Sequence, residues 1–311
     1  MQTSSERLIG SAALSSRGRF QKDRLLFAAI GYTALTLLAL LCVLPFLLVV
    51  SSSLTQESTI IVEGYPFLPF DFSTEAYGIL FKYPAQMLKA YAVTIAVTAA
   101  GTLLGLFLTS MTAYALSRKD FKWRNHFSFF FFFTTLFSGG LVPWYLLIVN
   151  YLHMKDTPFA LVIPMVLNVF YIIVMKSFMS SIPEAIVESA KIDGAGDFLI
   201  YIRLMLPLAK PALATIGLFL ALAYWNDWYN ALLFVSNENL MPLQYYLYKM
   251  LGNMDGMRKA MMSAGAVVTT SIPSESLKMA MTVVATGPIL LAYPFVQRYF
   301  VQGLTIGAVK G

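Results

Sequence analysis

Residues 181–211 read SIPEAIVESAKIDGAGDFLIYIRLMLPLAKP, the longest polar interruption in the apolar second half of the chain up to Trp228. Apolar segments long enough to span a bilayer lie on both sides of it. Ser181 and Glu184 have the spacing of a capping box, with Pro183 in the first turn, where its missing N–H costs nothing. The spacing predicts a helix over Ile182 to Asp193. Ile182, Ala185, Ile186, Ser189, Ala190 and Asp193 then share one face. Gly194 and Gly196 end that helix, because glycine takes the left-handed conformation a helix end requires. Asp197 is placed to cap a second helix, which stops near Pro207. The plain alternative is an ordinary connector, but connectors of this length are more often polar and irregular. A helix–glycine–helix held between two spans presents a shaped surface to the aqueous side.

The composition places this surface on a membrane protein. Of 311 residues, 58% are hydrophobic and only 12% charged, and mean hydropathy is +0.68; soluble domains carry roughly 25% charged residues. The pI of about 9.2 does not indicate nucleic acid, because the basic residues sit at span ends rather than in one patch. Cys42 is the single cysteine and lies inside an apolar run, so no disulfide within the chain can form. His126 and His153 are too far apart in sequence to suggest a metal motif, and no metal ligand set is expected. Nothing resembles a catalytic triad, a Walker A loop or a nucleotide fingerprint. No catalytic residue and no bound cofactor is therefore expected, and energy from ATP would have to enter through another subunit.

The sequence predicts an all-α fold with six transmembrane helices, roughly 25–54, 87–116, 127–149, 159–178, 208–235 and 277–300, within a permease domain of residues 24–303. Residues 1–23 read as a disordered cytoplasmic tail and 304–311 as a short flexible one. The first apolar run is too long for a cleaved signal core of about 7–15 residues, so it reads as a retained span. Residues 55–85 and 236–275 read as loops, the second with a local turn and short helix at Met241–Gln244. The second span is rich in Ala, Gly and Thr, which lets helices approach closely and places it centrally. Inside the third, Gly139, Gly140 and Pro143 disrupt helix. Such backbone survives in a membrane only where protein or a water cavity covers it. Two readings stand there, a packing kink or a bend lining a substrate path. Trp225, Asn226 and Asp227 in the fifth span also carry two readings, an interfacial aromatic belt or a pore-facing polar cluster.

Lys and Arg fall unevenly on the two sides this topology defines. Fifteen of the 22 flank the termini, the 118–124 cluster and the 181–211 segment, and seven lie on the other side. The richer side is the cytoplasmic one, so both termini and the 181–211 segment are expected there.

A family resemblance adds to this reading. Glu188-Ser189-Ala190, Gly194 after three residues, then Leu204 and Leu206-Pro207 resemble the EAA coupling loop of ATP-binding-cassette (ABC) importer permeases. Ser189 stands where the family has Ala, and Leu204 where it has Ile. Ala113 to Arg118, Trp225-Asn226-Asp227 and Tyr293 to Phe300 resemble the MalG-like subunits of carbohydrate importers, as does the ending Gly303 to Gly311. Phe137 to Pro143 and Pro242-Leu243-Gln244 resemble the narrower LplC/YtcP-like group, associated with oligosaccharides from complex, often uronic-acid-containing polysaccharides. One departure is Tyr91-Ala92-Val93-Thr94, where many MalG-like chains have Asn-Ser or Asn-Thr.

The resemblance implies a MetI-like permease core at the bacterial cytoplasmic membrane, importing a carbohydrate. It implies a second permease subunit, two cytoplasmic ATPases carrying ATP and Mg, an extracytoplasmic solute-binding protein and membrane lipid as partners. On it, Glu184, Glu188, Ser189, Ala190, Asp193, Gly194, Ala195, Leu204, Leu206 and Pro207 would couple to an ATPase, and Gly303, Thr305, Gly307 and Lys310 would contact it from the tail. Gly139, Gly140, Pro143, Trp225, Asn226 and Asp227 are the candidates for the substrate path. The alternatives are an ABC permease for a non-sugar solute, an ion-coupled secondary transporter and a non-transporting anchor. Mid-span charges, which ion coupling requires, are nearly absent.

Overall fold

The computed structural model describes the backbone of residues 3–263 and 274–308, with the side chains of residues 24–257, 259 and 274–291. Every element among them is helical. The order is α1 (Thr3–Ser53), α2 (Glu57–Glu63), α3 (Glu75–Leu80), α4 (Pro84–Ser117), α5 (Arg124–Leu136) and α6 (Leu141–Leu146), the last continued by a π-helical turn, Leu147–Tyr151. Then come α7 (Phe159–Val162) with a 3-10 turn, Ile163–Met165, and α8 (Val169–Ser180), α9 (Glu184–Ile192) and α10 (Asp197–Ile200). A π turn, Tyr201–Met205, leads into α11 (Leu206–Leu208), α12 (Lys210–Trp225), α13 (Tyr229–Phe234), α14 (Leu243–Ser263) and α15 (Ser274–Ala308). The chain divides into two units, residues 1–76 with 275–283, and residues 77–274 with 284–311.

Several expectations are corrected. The N-terminal residues expected to be disordered continue α1 as helix back to Thr3, since no proline or glycine pair interrupts them. The 55–85 loop contains α2 and α3. The 236–275 loop contains the 21-residue α14, whose Gly252, Asn253 and Gly256 mask its helical character; residues 264–273 lie outside the described residues. At the C-terminus, helix reaches Ala308 where a flexible tail was expected.

Two helices, over Arg24–Ser53 and Pro84–Ser117, are each long and apolar enough to cross a membrane by length and composition. Three further pairs qualify when taken together, Arg124–Leu136 with Leu141–Tyr151 (bent 116°), Phe159–Met165 with Val169–Ser180 (52°) and Asp197–Leu208 with Lys210–Trp225 (82°). These are the spans among the described residues, and α15 holds the segment expected as the sixth span. Each bend has a local cause. Gly140 takes φ +83° between α5 and α6. Pro164 precedes the second bend, after which Asn168 starts α8 by accepting the Phe170 N–H at 2.9 Å. Pro207 and Pro211 flank the third.

The larger unit is built on α4. Its small residues let α12 and the α7–α8 bend come close, as the composition of this span predicts. A β carbon added at Gly101 would lie 2.3 Å from the Tyr224 ring, and one at Gly105 would lie 3.1 Å from the Val166 carbonyl oxygen. Gly217 of α12 gives the reciprocal space to Leu106. Tyr224 donates its hydroxyl to the Val162 carbonyl at 2.8 Å, so α4, α7 and α12 meet at one ring. At the departing stretch Tyr91–Thr94, Thr94 is fully buried and its hydroxyl accepts the Leu243 N–H at 2.7 Å, holding the first turn of α14.

In the smaller unit, Glu57 is buried and its carboxylate accepts the N–H groups of Glu275 and Ser276 and the Ser276 hydroxyl, each at 2.9 Å. These are first-turn donors of α15, which have no partner within the helix, and the helix dipole favours an anion there.

Candidate functional site

The 181–211 segment folds as helix, glycine turn, helix, with changed caps. Ser181 remains at the end of α8, donating its hydroxyl to the Phe178 carbonyl at 2.7 Å. Pro183 is the residue before α9, and Glu184 opens the helix. The expected capping box does not form, because Glu184 at the first helical position cannot reach back to cap it. The C-terminus is a Schellman motif. The Gly194 N–H donates to the Lys191 carbonyl at 3.0 Å and the Ala195 N–H to the Ala190 carbonyl at 2.9 Å. Gly194 takes φ +82°, and a β carbon there would meet nothing within 4 Å, so backbone angle alone demands glycine. Gly196 is extended instead and precedes α10, which leaves Asp197 as the first residue of that helix rather than its cap.

Val187, at 1% exposure, is the buried residue of α9. It packs with Ile200, Tyr201 and Met205 of the second helix, Ala113 and Tyr114 of α4, and Met175 and Met179 of α8. Ala190, Ala195, Leu204 and Leu206 lie partly buried against this cluster. Tyr201 is hydrogen-bonded to Ser110 hydroxyl to hydroxyl at 2.8 Å, and its ring lies 5.5 Å from that of Tyr114. The face expected from periodicity is therefore split. Ile182 and Ala190 turn inward, while Ala185, Ser189 and Asp193 are exposed together with Glu188 and Gly194. Ile192 is 86% exposed, and Phe198 and Ile202 also reach the surface.

The residues that sequence reasoning missed are Arg118, Lys119 and Asp120, just after α4. Glu184 pairs with Lys119 and, at 3.8 Å, with Arg118. Lys191 pairs with Asp120 and, at 3.3 Å, with Asp197. The Lys119–Glu184 and Lys191–Asp120 contacts are also hydrogen bonds. Lys191 holds the Asp120 carboxyl below the usual carboxylate range, and Lys119 does the same for Glu184. The hydrogen bond to Asp120 raises the Lys191 ammonium above its ordinary value, with Asp197 adding to it. A cleft of about 410 Å³ opens beside this network, lined by Tyr114, Arg118, Asp120, Phe198 and Tyr201. Glu188 makes no ion pair among the described residues. The only advance signal was an isolated acid, Asp120, inside a basic cluster.

The substrate-path candidates fall in two places. Gly139, Gly140 and Pro143 form the α5–α6 bend, beside a groove of about 480 Å³ that Trp144 and Leu147 also line. Trp225 donates its indole N–H to the Ala285 carbonyl at 3.0 Å, and Asn226 donates to Leu222 at 2.9 Å. The Asp227 carboxylate accepts the Asn230 backbone N–H at 3.1 Å and its side-chain amide at 3.0 Å, which fixes the start of α13. Among the described residues, no hydrogen bond joins the two groups. Of the tail candidates, Gly303, Thr305 and Gly307 lie on the α15 backbone, whereas Lys310 lies outside the described residues.

The chain is similar to a set of known proteins. The family described as "Binding-protein-dependent transport system inner membrane component" matches residues 101–306. The polygalacturonan/rhamnogalacturonan transport system permease protein YtcP of Bacillus subtilis (strain 168) is 39% identical over 290 residues, covering 93% of this chain and 100% of that protein. Protein LplC of the same organism is 37% identical over 270 residues, covering 86% and 90%. Among solved structures, a chain of a bacterial ABC transporter involved in the import of the acidic polysaccharide alginate superposes with a TM-score of 0.74 at 32% identity, covering 88% of this chain and 96% of that one. With the family match spanning more than half of its length and relatives this similar over nearly all of it, the chain belongs to the binding-protein-dependent transport system inner membrane components.

Proposed function

We propose that the chain is a permease subunit of a bacterial ABC importer that carries an oligosaccharide, cut from a complex polysaccharide, across the cytoplasmic membrane. It crosses that membrane six times, with both termini on the cytoplasmic side. A second permease completes the pore, two cytoplasmic ATPases hold ATP and Mg, and an extracytoplasmic solute-binding protein delivers the sugar. This chain binds no nucleotide. The names of its relatives, a polygalacturonan/rhamnogalacturonan transport permease and a transporter involved in the import of the acidic polysaccharide alginate, support a sugar, and an acidic one in particular.

The observation that carries this reading is the exposed face of α9, with Glu188 and Ser189 outward beside the Gly194 turn and Ile192 unburied. Such a face suits an ATPase cleft. There Glu188 would meet a basic residue, while Ala190, Ala195, Leu204 and Leu206 hold the loop to the bundle and the exposed Pro207 ends the second helix on the aqueous side. Closure of the ATPases on ATP draws the paired loops together and reorients the pore. The bend at Gly139, Gly140 and Pro143 and the polar run Trp225-Asn226-Asp227 line the substrate path, and Gly303, Thr305, Gly307 and Lys310 reach the ATPases from the tail.

Losing one partner of a charged interface pair costs about 2–5 kcal/mol. Glu188→Ala should therefore release or uncouple the ATPases while leaving the permease inserted. Gly194→Val should do the same by forbidding the left-handed turn. The assay is ATP hydrolysis stimulated by loaded binding protein in reconstituted membranes, with co-purification of the ATPase. Wild-type stimulation in both variants would leave the segment a mere connector.

A further inference from the structure

We infer that the Arg118–Asp120 turn is a second, non-covalent linkage from the coupling loop into the bundle, with Lys119 and Asp120 acting as positioning residues that transmit motion of α9 to α4. The inference rests on the coupling-loop reading of α9 above. Three observations carry it.

First, the two ion pairs hold both ends of α9. Glu184, its first residue, pairs with Lys119, and Lys191, in its last turn, pairs with Asp120. A single contact would leave the helix free to pivot; two contacts about two turns apart fix its direction. Lys191 also reaches Asp197 across the glycine turn, so one ammonium joins α9, α10 and the end of α4. Second, the chain itself does not make this connection. α9 is continuous in sequence with α8 on one side and, through an 82° bend, with α12 on the other. α4 lies more than sixty residues earlier. Third, the linkage continues inward. Tyr201 of the second helix is hydrogen-bonded to Ser110 and in ring contact with Tyr114, both on α4. α4 in turn carries Gly101 and Gly105, against which Tyr224 of α12 and Val166 of the α7–α8 bend pack.

Half-exposed ion pairs add little to stability, so the network is better suited to fixing register than to holding the fold. A push on the outer face of α9 would reach the central helix directly. Without the linkage α9 would meet α4 through the apolar packing of Val187 with Ala113 and Tyr114, one contact near its middle about which it could pivot.

The test uses the complete reconstituted transporter and reads sugar transported per ATP hydrolysed. The Lys119→Ala/Asp120→Ala double variant should lower that ratio about tenfold while its ATPases still co-purify and still respond to loaded binding protein. Lys119→Arg/Asp120→Glu, which keeps both charges, should restore the ratio to within twofold of wild type. A wild-type ratio in the alanine pair overturns the inference. So does loss of the co-purifying ATPase in that pair, because the turn would then merely support docking. Failure of the underlying reading shows elsewhere, as wild-type coupling in Glu188→Ala.

Discussion

Glu184 and Glu188 lie one helical turn apart on α9 and have different surroundings. Glu184 is held by Lys119 and Arg118, whereas Glu188 makes no ion pair among the described residues. The electrostatics of the held group predict a pH window. The Asp120 and Glu184 carboxyls titrate below their ordinary values, so their contribution is complete above about pH 4 and is lost as pH falls through the depressed values. Lys191 titrates above its ordinary value, so its contribution is complete below about pH 10 and is lost as pH rises beyond that. A spin label at Ser189→Cys, with Cys42→Ser, should keep one mobility from pH 5 to pH 9 and loosen only as the pH falls through the depressed carboxyl values. Mobility changing between pH 6 and 8 would contradict the pairing. Which residues hold the loop was only partly legible in advance. Gly194 could be read from sequence because a left-handed turn selects glycine by itself. Ser181, Gly196 and Asp197 were assigned the wrong caps, because a cap depends on where the preceding helix stops. Asp120 was missed because its partner lies 71 residues away.

Among the elements, the break in the third span was legible because Gly139, Gly140 and Pro143 interrupt helix wherever they fall, whereas the 52° bend after Pro164 was not. Nor was α14. Its glycines and polar residues suit a loop, and Thr94, 149 residues earlier, supplies the hydrogen bond that starts it. Close packing of α4 followed from its small residues, though not the partner at each position. That partner yields a prediction. Gly101 faces the Tyr224 ring, which the Val162 carbonyl holds in place. Gly101→Ala should destabilise the detergent-solubilised protein by about 1–3 kcal/mol through overpacking. Gly287→Ala, where the added carbon meets nothing within 4 Å, should leave the unfolding midpoint unchanged. Tyr224→Leu should recover part of the Gly101→Ala loss. Equal midpoints for the two alanine variants would mean that α4 and α12 stand further apart.

For the whole molecule, sidedness comes from charge and length together. Residues 84–117 form one helix of 34 residues, about 50 Å at 1.5 Å per residue, well beyond a hydrocarbon core of about 30 Å. If it crosses the membrane, its two ends emerge on opposite sides. The C-terminal end meets α9 through Lys119 and Asp120, whereas Lys89 near the other end donates to Asn239, just before α14, at 3.1 Å. If the 181–211 segment is cytoplasmic, as the excess of 15 among 22 basic residues indicates, the start of α14 is outside. With Cys42→Ser as background, Lys191→Cys should resist a membrane-impermeant thiol reagent in intact cells and react once the membrane is opened. Glu63→Cys and Lys249→Cys should react in intact cells. Reaction at Lys191→Cys with protection of the other two would invert the topology. Equal labelling of Lys191→Cys and Lys249→Cys would mean that α4 does not cross the membrane, and the charge asymmetry would then carry no information about sidedness.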